Sequence, residues 1–412
     1  MTEWRSGMTE CLAISGPIGK VPAISDLMFA AVGFAALSAI GAFQVLAGWV
    51  VAVRFTRQTA GRAEGTMPIT VLKPLHGQEP MLEQALATLC AQDYPPGFQI
   101  VCGVGDATDT AITAVRALQA RYPNHDLDLV IDASRHGANP KIGNLINMLP
   151  SARHDILVIA DSDVHARPDY LRRLAQALDR PRAGLVTTLY TGLPAFRTVA
   201  SLLGTTQITH GFLPGMLLGR AMGRSDCLGA TMCLRRETLS AIGGLAALQD
   251  HLADDQVLGR RVRAAGLDVV LANTVVATTV PERSFTALWR HELRWARTIR
   301  TLEPAAFAAS VLQYPLFFAA LALLASGFAL WAWALIAAIW TLRALAVTGI
   351  DQALAGMVGG LAFRCPLWLL PLRDLLSAAE WIVSHTGRQV DWRGQSLQAD
   401  TPPRLTQGSN TR

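Results

Sequence analysis

Ile156-Leu157-Val158-Ile159-Ala160-Asp161-Ser162-Asp163 is a short, unbroken apolar run that ends in two carboxylates. A run of this length, rich in β-branched residues, reads as a strand. Its acidic end then lies just past the carboxyl terminus of the strand, where open α/β sheets bind their ligands. Working outward, residues 69–75, 99–104 and 127–131 have the same character, and residues 82–91, 111–121 and 170–178 read as helices between the strands. This alternation predicts an α/β domain over residues 66–300, built on a mostly parallel sheet with helices on both faces.

The flanks of that domain are of another kind. Residues 27–53 carry no charge, enough at about 1.5 Å per residue to cross a hydrocarbon core of about 30 Å. A signal peptide would have a shorter apolar region nearer the N-terminus, so a retained transmembrane helix is expected here, after an N-terminal tail at 1–26. Arg54, Arg57 and Arg62 follow at once, in a linker at 54–65. The positive-inside rule then puts the domain in the cytoplasm. Residues 304–342 are again uncharged, nearly twice one span, with Ser326 and Gly327 suited to the turn of a hairpin. The expected transmembrane hairpin is 301–349, with Arg343 returning to the cytoplasmic side. In 350–384, Asp351, Arg364, Arg373, Asp374 and Glu380 interrupt the apolar runs. That segment reads either as interfacial or re-entrant helices or as one further span. A polar tail follows at 385–412, with Pro402 and Pro403.

Composition agrees with a membrane-attached protein. Of the 412 residues, 51% are hydrophobic and only 16% are charged. The net charge of +5 is accounted for by arginines flanking the spans, and no Lys/Arg run with interleaved aromatics suggests nucleic-acid binding. The six cysteines show neither C-x-x-C spacing nor a Cys/His cluster, which fits a reducing cytosol. Nothing in the sequence bears on oligomeric state.

Three acidic features stand after strands or at a helix start: Asp106, the pair Asp161 and Asp163, and the pair Asp254 and Asp255. Carboxylates cannot hold a diphosphate directly, but they can hold a divalent cation that does; hard oxygen ligands suit Mg²⁺ or Mn²⁺. Each feature also has a plainer reading. Asp106 fits a turn or helix cap, and Asp254-Asp255 fits a solvated helix N-terminus. Lys141, in Asn139-Pro140-Lys141, is either a phosphate contact or a surface lysine. Pro74 lies in Lys73-Pro74-Leu75-His76-Gly77 at the end of the first strand. His291-Glu292-Leu293-Arg294-Trp295 lies on a helical stretch before the second apolar block, with Arg294 suited to a phosphate and Trp295 to an acceptor channel. The same stretch also fits an amphipathic helix at the membrane surface.

Taken in order, Lys73-Pro74-Leu75, Asp93-Tyr94-Pro95, Asp106, Asn139-Pro140-Lys141, Asp161-Ser162-Asp163, Asp255 and Arg294-Trp295 resemble the ceramide glucosyltransferase family of inverting glycosyltransferases. The similarity is greatest to its bacterial, hopanoid biosynthesis-associated branch. It runs from about Met67 to Arg300 and continues weakly to Trp392-Arg393-Gly394. The resemblance implies a GT-A fold and a D, D, D, (Q/R)xxRW series. Asp106, Pro74 and Lys141 then fall on the donor side, and Asp161 and Asp163 at the metal and sugar-diphosphate site. Asp255 corresponds to the catalytic base, and His291, Arg294 and Trp295 to the terminal motif. His291 departs from the pattern, which has Gln or Arg there. The implied reaction transfers a sugar from a UDP-sugar to a membrane lipid, N-acetylglucosamine onto a hydroxylated hopanoid, in a bacterial inner membrane. Glucosyl transfer to ceramide or another lipid, a polysaccharide synthase and a non-catalytic membrane scaffold are the alternatives.

Overall fold

The computed structural model describes residues 24–58, 67–387, 389–392 and 395–398. Arg62, Cys11, Arg393-Gly394 and most of both tails, including Pro402 and Pro403, lie outside the described residues.

The chain begins with helix α1 (Ile24–Thr56) and enters the sheet domain with β1 (Ile69–Pro74), α2 (Leu82–Cys90), β2 (Phe98–Val104), α3 (Ala111–Arg121) and β3 (Leu127–Ile131). It returns past β1 through α4 (Pro140–Met148) to β4 (Ile156–Ala160), the short β5 (Val164–His165), α5 (Tyr170–Leu178) and β6 (Ala183–Pro194). Helices α6 (Val199–Gln207) and α7 (Leu213–Ala221) lead to β7 (Thr231–Arg235), α8 (Arg236–Ala241), α9 (Asp254–Ala264) and β8 (Asp268–Val280). Then come α10 (Phe285–Leu302), α11 (Pro304–Ser310), α12 (Pro315–Ala325), α13 (Leu330–Val358), α14 (Leu369–Ser384) and a small hairpin, β9 (Gln389–Trp392) with β10 (Gln395–Gln398).

The eight-stranded sheet has the order β3-β2-β1-β4-β7-β6-β8-β5. Strands β3, β2, β1 and β4 are parallel, as the strand–helix alternation implies. Beyond β4 the sheet is mixed: β7 runs antiparallel to both β4 and β6, while β6 and β8 are parallel. All five residues of β4 are buried, because helices cover both faces. On one face Leu86 of α2, Val115 of α3 and Leu174 of α5 fill the core; on the other Ile142 of α4 and Leu258 of α9 do. The chain changes direction between β1 and β4, so Pro74 and Asp161 flank the switch-point crevice.

Among the described residues two helices are long and apolar enough to cross a membrane, Ser25–Thr56 and Leu330–Leu361. They dock on the far half of the sheet. Ala52 and Phe55 of α1 and Ile350 and Leu354 of α13 share an apolar cluster with Leu189 and Val275 of β6 and β8. The region expected to form a two-limbed hairpin is asymmetric. Its turn does fall at Ser326 and Gly327, where Gly327 has φ 64°. The first limb, however, is broken: Pro304–Gln313 and Pro315–Ala325 meet at 64°. Pro315 supplies no N–H and disfavours helical backbone at Tyr314, which sits at φ −109°, ψ 65°. Arg343 lies in the middle of α13, buried, with Nη2 2.6 Å from Asp374 Oδ1. Most charges of 350–384 are likewise internal partners: Asp351 lies 3.1 Å from His210, and Arg373 pairs with Glu380 and Glu292, whereas Arg364 is exposed.

Candidate active site

The strand ends, the start of α9, the middle of α10 and helices α1, α11 and α14 enclose one cavity of about 1720 Å³. Asp106, Pro74, Lys141, Asp161, Asp163, Asp255, His291, Arg294 and Trp295 all line it. The opposite end is apolar, with Phe43 and Ala47 of α1, Phe212 and Met216, and Ala306 and Leu312 around the helix break. Between α6 and α7, Ile208–Phe212 winds as a π-helix, and Gly211 and Phe212 of that turn line the wall.

Asp106 is exposed at the end of β2. Its Oδ1 accepts from the Thr108 amide at 2.7 Å and the Thr108 hydroxyl at 2.8 Å, an Asx-turn that holds its carboxyl below the usual range. The turn reading and the cavity-lining position therefore coexist. Asp109, which the sequence reading passed over, ties the neighbouring loops: the amides of Gly77 and Ala111 donate to it at 2.9 and 2.8 Å.

Lys141 is not a surface lysine. Asn139 caps α4 by accepting from the amides of Lys141 and Ile142, and Pro140 takes the first helical position, where no N–H is needed. This cap points Lys141 into the cavity, with Nζ 2.7 Å from Asp161 Oδ1 and 3.3 Å from Asp254 Oδ2. Burial works against its charge, but Asp161 and Asp254 outweigh it and raise its pKa above the ordinary value. Asp254 is therefore no solvated helix start. It is buried, and it anchors the lysine that reaches Asp161.

The Asp161-Ser162-Asp163 turn is braced from below. Lys73, fully buried, donates from Nζ to the Asp161 carbonyl, and burial lowers its pKa. The Ser162 hydroxyl donates to Glu79, and the Thr278 hydroxyl donates to Asp163 Oδ2. Burial, then Asp161, pushes the Asp163 carboxyl up to about 6, with Glu79 adding to the effect. Glu79 had no signal in the sequence, since it follows the first strand in a loop without a motif. Three carboxylates, Asp161, Asp163 and Glu79, thus meet two lysines, Lys73 and Lys141. Among the described residues no set of three His, Cys, Asp or Glu side chains could ligate a metal ion unaided.

Asp255 opens α9, with Oδ1 accepting from the Gln256 amide at 2.7 Å. Its Oδ2 faces Gly229, where an added Cβ would come within 3.1 Å. Desolvation, then Asp254, raises its pKa to about 7, while Lys141 opposes the shift. His291 lies over Trp295, ring centroids 4.5 Å apart, edge to face, and its Nδ1 meets the buried Glu282. Glu282 is a second partner without a sequence signal. It follows β8 and meets α10 only through the fold.

Residues 31–405 match the family described as Glycosyl transferase family 21, and the chain belongs to that family. It is 25% identical over 215 residues to Ceramide glucosyltransferase 1 of Caenorhabditis elegans, covering 50% of this chain and 44% of that one. To the Ceramide glucosyltransferase of Komagataella phaffii it is 34% identical over 116 residues, 27% of this chain and 23% of that one. The chain spans about half or less of the length of these curated relatives. Among solved structures, a mannosyltransferase from Pyrobaculum calidifontis in complex with GDP-Man and Mn²⁺ has a TM-score of 0.50 at 21% identity, over 87% of this chain and 98% of that one. That likeness establishes the fold, a GT-A type sheet.

Proposed function

We propose, from membership of glycosyl transferase family 21 as the premise, that this protein transfers a sugar from a UDP-sugar to a lipid hydroxyl with inversion. The observation that carries the reading is the single cavity. It joins a carboxylate-rich end at the strand termini to an apolar end between membrane helices. A donor with a charged diphosphate and an acceptor with a long apolar body need these two environments side by side.

In this reading Asp255, with its pKa near 7, is matched to removing the proton from the acceptor hydroxyl at physiological pH. The freed oxygen attacks the anomeric carbon as the bond to the UDP phosphate breaks on the opposite side. Asp161 and Asp163 would hold Mg²⁺ or Mn²⁺, which when bound supplies positive charge to the diphosphate oxygens. Lys141 keeps Asp161 in place and adds charge beside it. Arg294 and Trp295 wall the cavity from α10. His291 stands where the family pattern has Gln or Arg, and Glu282 fixes its ring.

The sequence resemblance favours N-acetylglucosamine and a hydroxylated hopanoid. The similar ceramide glucosyltransferases favour glucose and ceramide as a second reading. A polysaccharide synthase would need more spans to form a channel than the two or three candidates among the described residues. The carboxylates gathered in the cavity speak against a non-catalytic scaffold. The positive-inside argument orients the domain 66–300 toward the cytoplasm of a bacterial inner membrane, where UDP-sugars are found.

The test is incubation of membranes holding the protein with a panel of UDP-sugars and either extracted hopanoids or ceramide, read by mass spectrometry of the glycolipid. One product identifies the pair. No UDP release with any lipid would sink the reading.

A further inference from the structure

Helix α10 carries His291, Arg294 and Trp295 to the cavity, and Glu292 stands among them, buried. Its partner comes from α14. Arg373 is the largest of the fully buried side chains. Its Nη1 donates to both carboxylate oxygens of Glu292, at 3.0 and 2.9 Å, and its Nη2 donates to Glu380 Oε2 at 2.9 Å. Nε donates to the Ser377 hydroxyl at 3.0 Å. The next residue, Asp374, faces the other way. It pairs with Arg343 of α13 and accepts from the Leu316 amide at the start of α12, at 3.1 Å.

A guanidinium held between two carboxylates out of water is a poor device for stability, because desolvation offsets much of the attraction and apolar packing does as well. What it supplies is geometry. The planar guanidinium is fixed by Glu380 at Nη2 and Ser377 at Nε, so its Nη1 sets the place of the Glu292 carboxylate, and Glu292 lies one helical turn from Trp295. Through Arg373 and Asp374 together, α14 ties the rotation of α10 to the membrane helices.

We propose that Arg373 is a positioning residue for the glycosyl transfer argued above: by holding Glu292 it sets the rotation at which Arg294 and Trp295 face the cavity. The inference rests on that reading of the reaction.

The experiment uses the full chain in detergent or membranes, with kcat, the KM for UDP-sugar and the melting temperature measured for Arg373→Lys, Glu292→Gln and the double variant. Lysine keeps the charge and loses the fork, and glutamine keeps the size of Glu292 and one hydrogen bond. Each single variant is expected to melt lower than the wild type but remain folded at the assay temperature, and to lose about 10- to 100-fold in kcat with donor KM within about twofold. The double variant should be no slower than the slower single, since both act through one contact. Folded variants with wild-type kcat, or losses that multiply in the double, overturn the proposal. So does failure of both single variants to fold, which would make the cluster a folding element. Failure of the reaction itself is distinguishable, because the wild-type protein would then release no UDP.

Discussion

Replacing Asp255 by Asn keeps the side chain's size and its hydrogen bond to the Gln256 amide but removes the ability to accept a proton. General-base loss typically costs about 10²–10⁴ in rate, so turnover should fall by that much while UDP-sugar binding holds. The structure adds a pH signature. Desolvation and Asp254 raise the Asp255 pKa to about 7, and the base works only when deprotonated. Wild-type kcat should therefore climb about tenfold between about pH 6 and pH 8, as the ionised fraction rises from roughly a tenth to nine tenths. Lys141 pulls that pKa down, so Lys141→Gln should move the rise to higher pH. Asp254→Asn should be the milder change, because Asp254 anchors Lys141 and its removal lowers the neighbouring repulsion. Turnover is read by UDP release and donor affinity by calorimetry, across the pH range. An active Asp255→Asn with a dead Asp254→Asn would move the base by one residue. A flat profile from pH 6 to 8 would refute the assignment of the base altogether.

Asp161→Asn and Asp163→Asn should raise the donor KM far more than Asp255→Asn does. Exhaustive chelation should abolish activity and Mn²⁺ or Mg²⁺ should restore it; full activity in chelator removes the cation from the reading. Gly41→Ala should destabilise the membrane helices by about 1–3 kcal/mol, because its Cβ would come within 2.3 Å of the Leu312 carbonyl oxygen; an unchanged melting temperature contradicts that contact. A reporter fused within residues 66–300 should be active only in its cytoplasmic form, and periplasmic activity would reverse the orientation argued from Arg54 and Arg57.

The parallel half of the sheet was legible because each strand there is a compact apolar run between turn residues. The strands Leu127–Ile131 and Ile156–Ala160 and the helices Ala111–Arg121 and Tyr170–Leu178 lie where their hydrophobic patterns put them. The mixed half was not, since strands β6 and β8 have 12 and 13 residues and pair across long separations that no local pattern encodes. Motif residues stood out because carboxylates after apolar runs are visible in a linear chain. Their supports were invisible for the converse reason. Glu79 reaches Ser162 across 83 positions, and Lys73 reaches the Asp161 carbonyl across 88. The surroundings of Arg343 were hidden for the same reason, because its partner Asp374 stands 31 residues on and meets it only through the fold.

The break at Pro315 also bears on how the protein is made. With 11 residues, α12 is only about 16 Å long, about half of a hydrocarbon core of about 30 Å, and its first amides lack helical partners. One of them is met by Asp374, and the Pro315 carbonyl accepts from Ser38 of α1 at 2.8 Å. One partner is thus synthesised long before α12 and the other 58 residues after Leu316. The seat of the Leu316 amide is thus complete only once α14 has been made.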